Sequence, residues 1–187
     1  SRSVVNAPIG ELYAQELGMP VPVPIRNVPP YVDQPPSETS PGRVRLLYHG
    51  MAAWERGFRE ILDAMRELPD RFTMTFMLTP SAIGEGLRAL IAAHPARDRI
   101  EIVPPVPMRE IAERINGYDI EIIFLPPTNM NLRFALPNKL FESIQGRLGI
   151  VIGQSPAMVE VVREYSDGVV VEGWGSAELL RTLEALS

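Results

Sequence analysis

Between positions 131 and 152 the chain reads N-L-R-F-A-L-P-N-K-L-F-E-S-I-Q-G-R-L-G-I-V-I, which sets a Pro-Asn-Lys turn and one carboxylate just ahead of an apolar strand. Pro137 has its φ preset for a first helical turn, so a helix starting there aims the amides of Asn138 and Lys139 outward from a positive end, with the Lys139 ammonium beside them. Phosphate suits such an end. One turn further on, Glu142 is an acceptor-only carboxylate able to take two neighbouring hydroxyls, as a ribose presents them. Phosphate donors plus a diol acceptor point to a nucleotide. Each residue also has a plainer reading. A glutamate in a first helical turn is favoured by the helix dipole alone, Asn138 is a natural cap, and Lys139 opposes the dipole unless an anion compensates it.

A second group follows the first predicted strand, in Y-H-G-M-A-A-W-E-R-G at positions 48–57. Arg56 ahead of Gly57 can present its planar fork to two phosphate oxygens, or pair with Glu60 at i,i+4. Gly50 permits close backbone approach to a ligand, or supplies a positive φ after the strand. His49 stands where a strand meets the site and either donates to a ligand or is simply hydrogen-bonded there. Neither G-x-G-x-x-G, nor G-x-x-x-x-G-K-[ST], nor G-x-S-x-G occurs, which removes support for nicotinamide, P-loop and nucleophile-elbow chemistry. Asp119 precedes an apolar strand, at the wrong end of a parallel sheet for catalysis, and reads as structural. Ser155 reads as a helix cap with Pro156 at the first helical position, and Glu160 is the weaker functional candidate.

Positioning these residues requires an α/β framework. From position 43 onward, apolar runs of four to seven residues alternate with helical patterns, as β-α units of a parallel sheet do. Strands are predicted at 44–48, 72–78, 100–103, 120–124, 149–152 and 169–171, giving six, with helices at 83–93, 108–115, 137–145, 157–164 and 177–186. Trp54, Phe58, Ile61, Leu62, Met65 and Leu68 form one apolar stripe that predicts a continuous first helix packed on the sheet. Nine of the 19 prolines fall in the first 42 residues, so positions 28–41 form a linker or a wrapped surface arm. Before it, 9–17 has a helical pattern, and 21–26 reads as an extended segment suited to a sheet edge.

Bulk composition narrows the function classes. With 187 residues, 45% hydrophobic and 22% charged, the chain has a globular composition, and its net charge of -5 gives no overall attraction to nucleic acid or an anionic membrane. There is no cysteine, and His49 and His94 are far apart, which leaves no ligand set for a structural zinc. Neither a membrane-spanning apolar run nor a signal-peptide pattern is present, so the expected location is the cytoplasm. The chain opens at Ser1 without a methionine, which reads as a piece of a longer protein.

Taken in order, these pieces resemble the C-terminal, donor-binding domain of GT-B glycosyltransferases of the retaining group 1, or family 4, type, which carries two glutamates eight positions apart. The resemblance runs from about 43 to 186. L-P-N-K-L-F-E-S-I at 136–144 is similar to the P-N-K-L-F-E-Y segment of a subset of these enzymes. L-L-Y-H-G-M-A-A-W-E-R-G resembles their opening strand, glycine turn and basic-Gly pair. Ser3-Val4-Val5 and Ile25-Arg26-Asn27-Val28-Pro29 resemble the end of the N-terminal domain.

The resemblance implies that 1–42 is the end of that domain with a Pro-rich interdomain linker, and that 43–187 is a Rossmann-like nucleotide-sugar-binding domain. It implies that Arg56, Lys139, Gly50 and the amides near Asn138 hold the donor diphosphate, that Glu142 takes the ribose hydroxyls, and that Val106 and Pro107 face the base. His49 and Phe134 are further candidates. Three departures stand out: Phe134 occupies the place of the earlier glutamate, Arg56 that of a commoner lysine, and Arg147-Leu148-Gly149 that of a Gly-Leu-Pro turn. No catalytic residue is assigned in this chain. The substrate implied is a nucleotide sugar, with no metal or other cofactor required, and the implied partner is an acceptor-binding N-terminal domain, with no nucleic acid. The implied setting is glycan or polysaccharide biosynthesis in the cytoplasm, with membrane-peripheral placement of the full-length protein as the alternative. The chain alone is expected to bind nucleotide and to turn over slowly or not at all. A nucleotide-sugar epimerase or phosphorylase shares the architecture, and Phe134 favours a noncatalytic nucleotide-binding or assembly domain.

Overall fold

Apolar runs buried on both sides need a sheet covered by helices on each face, and parallel strands need helical crossovers, so one arrangement satisfies both demands. A computed structural model describes residues 7–23, 25–26, 28–38 and 40–186, so Ser3, Val4, Val5 and Asn27 of the resemblance lie outside the described residues. In chain order the elements are α1 (Ala7–Leu17), β1 (Val44–Gly50), α2 (Phe58–Glu67), β2 (Phe72–Leu78), α3 (Ala82–Ala92), β3 (Ile100–Val103), α4 (Ile111–Ile115), β4 (Ile120–Ile123), α5 (Met130–Arg133), α6 (Asn138–Gln145), β5 (Gly149–Ile152), α7 (Pro156–Tyr165), β6 (Gly168–Val170) and α8 (Ser176–Ala185). The six strands are parallel, in the order β3-β2-β1-β4-β5-β6.

Alternation along each strand sorts the core. Leu46, Tyr48, Met74, Phe76 and Ile122 face α2, α3 and α8, whereas Leu47, Met77, Ile123, Ile150 and Ile152 face α4, α6 and α7. This is a Rossmann-like sheet with helices on both faces. Because the chain winds from β1 out to β3 and returns to β4 on the other side, a crevice opens at the carboxyl ends of β1 and β4, where such sheets bind ligands. At the amino ends Asp119 accepts from the Arg45 backbone N–H at 2.6 Å and from both arms of its guanidinium at 3.0 and 2.8 Å, which ties β1 to the start of β4. That is the structural role expected of Asp119.

Several local expectations are corrected. The stripe from Trp54 to Leu68 is not one helix: Trp54–Arg56 is a 3-10 turn, and Gly57 is left-handed with φ 75° before α2 begins. The segment after Pro107 starts as a 3-10 turn, Met108–Glu110, and becomes helical only in α4. The described residues of 21–26 join no strand, and positions 28–38 run as an irregular arm over the ends of α4 and α6. There Val32 donates to Gln145 Oε1 at 2.9 Å, and Gln34 Nε2 donates to the Ala112 and Gln145 carbonyls at 3.0 and 2.9 Å. Prolines remove the donors a strand ladder needs, and side-chain bonds hold the arm instead.

Gly57 brings the loop after β1 against the end of β4: a Cβ there would lie 2.4 Å from the Phe124 carbonyl oxygen. Gly57→Ala is therefore expected to destabilise the chain by about 2–3 kcal/mol in urea titrations. Gly42→Ala is the comparison, since Gly42 has a similar φ of 77° and nothing within 4 Å. It is expected to cost only about 1 kcal/mol. Equal losses at the two positions would show that the contact with β4 is unimportant.

Candidate functional site

The carboxyl end of β1 carries Tyr48, His49 and Gly50 on successive residues, so His49 faces α6 while Tyr48 faces α2. β4 pairs beside it, Leu47 with Glu121, which places the Glu121 carboxylate on the same face as His49. Glu121 is fully buried, and α6 closes over it with Lys139 and Glu142. Glu121 accepts from the His49 backbone N–H at 3.2 Å and lies 3.0 Å from the ring Nδ1, while Glu142 Oε2 lies 2.9 Å from Nε2. Two acceptors on one imidazole require both ring nitrogens to donate, which only the imidazolium can do. Burial opposes that charge, but Glu121's attraction and the bonds to Glu121 and Glu142 outweigh it and raise the His49 pKa to about 9.

Lys139 is the complementary anomaly. Its side chain runs past Gly50 onto the face of the Tyr48 ring, Nζ 3.3 Å from the centroid, and is 6% exposed. The ammonium has no hydrogen-bond acceptor, and its nearest carboxylate oxygen, Glu121 Oε1, is 4.0 Å away. Burial, with Arg56 adding repulsion, lowers its pKa to about 7 against the pull of Glu121 and Glu142. Gly50 has φ 113°, closed to most side chains, and a Cβ there would already touch Lys139 Cε at 3.7 Å. Anything larger would obstruct the lysine.

Gly50, His49, Lys139 and Glu142 thus come together at the crevice, and Arg56 joins them: it is half-buried and near enough to Tyr48 and Lys139 to act on both. The i,i+4 pairing with Glu60 does not form, because Gly57 turns the chain between them. Asn138 is exposed as the first residue of α6 and does not cap it; Pro137 occupies the cap position with φ -75° and ψ 151°. Glu142 falls in the second helical turn rather than the first, so the dipole does not account for it.

The remaining candidates lie on other segments. Val106 packs with Leu47, Met77 and Ile115, and Pro107 precedes a 3-10 turn; both lie on the loop after β3, two strands from β1. Phe134 ends α5 with the Arg133 guanidinium 5.3 Å from its ring. Ser155 occupies the cap position of α7 with Pro156 first in the helix, as expected, but its hydroxyl makes no capping bond: it donates to the Ala135 carbonyl at 2.8 Å, tethering the loop that leads into α6. Glu160 pairs at 3.5 Å with Arg26. The residue missed by sequence reasoning is Glu121, and its signal was a lone carboxylate within an apolar strand that both faces of the sheet must bury. Among the described residues no group of three or more His, Cys, Asp or Glu is arranged to hold a metal ion, and no helix is long and apolar enough to cross a membrane.

This Rossmann-like fold is similar to that of solved structures, glycosyltransferases among them. The chain is similar to sucrose-phosphate synthase from Thermosynechococcus elongatus, with a TM-score of 0.76 at 13% identity over 98% of this chain and 48% of that one. It is also similar to a glycosyltransferase from Rickettsia africae (TM-score 0.76, 14% identity, 99% and 52% covered). A third is HepE from Anabaena, solved with UDP and glucose (0.74, 14%, 99% and 53%). The chain spans about half the length of these structures. No protein-family model and no curated protein matches it.

Proposed function

We propose that this chain is the donor-binding domain of a retaining-type GT-B glycosyltransferase, holding a nucleotide diphosphate sugar for transfer to an acceptor hydroxyl bound by an N-terminal domain. One observation carries the reading: a buried lysine ammonium without a hydrogen-bond acceptor, at the start of an eight-residue helix on the ligand-binding edge of the sheet. Helix N–H groups, Lys139 and Arg56 offer a diphosphate the charge-assisted bonds that Lys139 otherwise lacks. Glu142 would take the ribose, and the loop at Val106 and Pro107 would pass the base. In transfer, the bond from the anomeric carbon to the diphosphate oxygen breaks and its electron pair leaves with the diphosphate. The acceptor oxygen bonds to that carbon, and the acceptor proton passes to a base outside this chain. The cationic groups stabilise charge as it builds on the leaving diphosphate, a role that needs no metal.

Calorimetric titration with UDP, GDP, dTDP and ADP tests this, with the HepE complexes placing uridine first in the panel. At least one nucleotide is expected to bind with a Kd below about 1 mM, with the same affinity in EDTA. Absence of binding for all four would sink the reading. A second reading, a nucleotide-binding module without transfer, is favoured by Phe134 at the place of the first glutamate. Rejoining the chain to its acceptor-binding domain separates the two, since only the enzyme would then consume nucleotide sugar in the presence of acceptor.

A further inference from the structure

The nucleotide reading above leaves the Glu121–His49 pair without a role, yet its geometry is too specific for a stray buried charge. His49 is 3% exposed and Glu121 is inaccessible, so the pair offers a ligand almost no surface of its own. Glu142 alone of the three reaches solvent, with 12% of its side chain exposed. One of its two oxygens, Oε2, is committed to His49 Nε2 at 2.9 Å, and His49 is itself held from behind by Glu121 through both its ring Nδ1 and its backbone N–H. A carboxylate on a helix surface ordinarily samples several rotamers, at an entropic cost when a ligand selects one. Here that choice is made beforehand.

We propose that Glu121 and His49 form a positioning pair that fixes the Glu142 carboxylate, leaving its Oε1 as the acceptor for the ligand's ribose hydroxyls. This rests on the nucleotide reading above and assigns the pair a role in diol selectivity, not in phosphate binding. The groups facing His49 are Glu121 from β4, with Glu142 and Lys139 from α6; Arg56 and Tyr48 lie behind Lys139. Two carboxylates and one cation around the imidazole favour its charged form, and loss of that charge removes one of the two donors. The grip on Glu142 is then expected to loosen as the pH rises past about 9.

The test compares the tightest-binding of UDP, GDP and ADP with its 2′,3′-dideoxy counterpart on the same protein. Phosphate and base contacts cancel in the ratio of affinities, which reports the diol alone. Wild type is expected to favour the diol about ten- to hundredfold at pH 7.5, with the preference shrinking by pH 9.5. Glu142→Ala should bring the ratio to one. His49→Leu should do the same while leaving dideoxynucleotide affinity within about threefold. Glu121→Gln, which keeps the imidazole but removes its main counter-charge, should retain the ratio at pH 6 and lose it by pH 8. Should His49→Leu fail to fold, His49→Gln retains a neutral donor toward Glu142, and its ratio should not change between pH 6 and 9.5. A folded His49→Leu protein with an undiminished ratio, or a His49→Gln protein whose ratio falls with pH as wild type's does, would overturn the proposal. A wild-type ratio of one would overturn it together with the ribose role of Glu142, while nucleotide binding itself would stand. No nucleotide binding at all would remove both.

Discussion

Replacement of Glu121 by leucine is expected to cost the fold about 3–5 kcal/mol near pH 6.5, and to cost it much less at pH 9.5. The carboxylate accepts two bonds from His49, one backbone and one ring, and is the nearest anion to Lys139. Leucine fills similar volume but leaves the buried imidazolium with Glu142 as its one carboxylate bond and strands its Nδ1–H and backbone N–H, the expensive way to break an ion pair. The pH dependence follows from the two cations. His49 has its pKa raised from 6.5 to about 9, so its stabilising contribution is complete below 6.5 and is lost as pH climbs through 9. Lys139 is lowered from 10.5 to about 7, so its penalty is complete below 7 and is relieved as pH rises toward 10.5. Between roughly pH 7 and 9 the two trends oppose each other, and wild-type stability should be nearly level there. Without Glu121 the His49 contribution disappears and only the lysine's upward trend remains. Urea unfolding at pH 6.5, 8 and 9.5 should show wild type and variant converging as pH rises. A gap that stays constant across that range would mean that His49 is uncharged in the folded protein.

The same pair shows where a single sequence stops being informative. Six strands and the helices between them were legible because Val44, Phe72 and Ile120 begin runs whose period and flanking turns leave few alternatives, and the strands formed within two residues of their predicted ends. What that pattern could not reveal was strand order. Glu121 meets His49 only because β4 returns beside β1, a long-range fact that no local periodicity encodes. Gly57 was masked for a related reason. The apolar stripe from Trp54 to Leu68 continues at helical spacing through a left-handed glycine, since Trp54 and Phe58 pack together whether or not a helix joins them. α5 escaped notice because it is four residues long and has one buried side chain, Leu132, with Asn129 accepting from the Leu132 N–H to start it. On the candidate site, Lys139 and Glu142 were legible as chemistry because of their spacing from Pro137. Their burial and their partners were not, since those belong to the tertiary arrangement.

Lys139→Met should separate folding from binding more sharply than any other single change. Methionine can follow the same path past Gly50 and rest on the Tyr48 ring through its sulfur, so the packing survives. What disappears is an ammonium that has lost its water, donates no compensating hydrogen bond, and sits 4.0 Å from its nearest counter-charge. The contact with the Tyr48 face offsets part of that cost but does not satisfy its three donors. The variant is therefore expected to be more stable than wild type by about 1–3 kcal/mol at pH 6, where the folded lysine is charged. That advantage should shrink as the pH rises above 7 and disappear only near 10.5, where the unfolded lysine also loses its proton. Nucleotide diphosphate affinity should move the other way, falling by roughly a hundredfold, the scale of two charge-assisted bonds to phosphate. Because burial lowers the pKa of Lys139 to about 7 while a bound diphosphate would favour the ammonium, wild-type binding at pH 8 should also take up a proton. Calorimetry in buffers of different ionisation enthalpy reads that uptake directly, and Lys139→Met should abolish it. A variant that unfolds more easily at pH 6 and binds as tightly as wild type would show the lysine to be a structural group. A more stable variant that no longer binds would show that the fold tolerates a buried, unpaired charge because the ligand completes it.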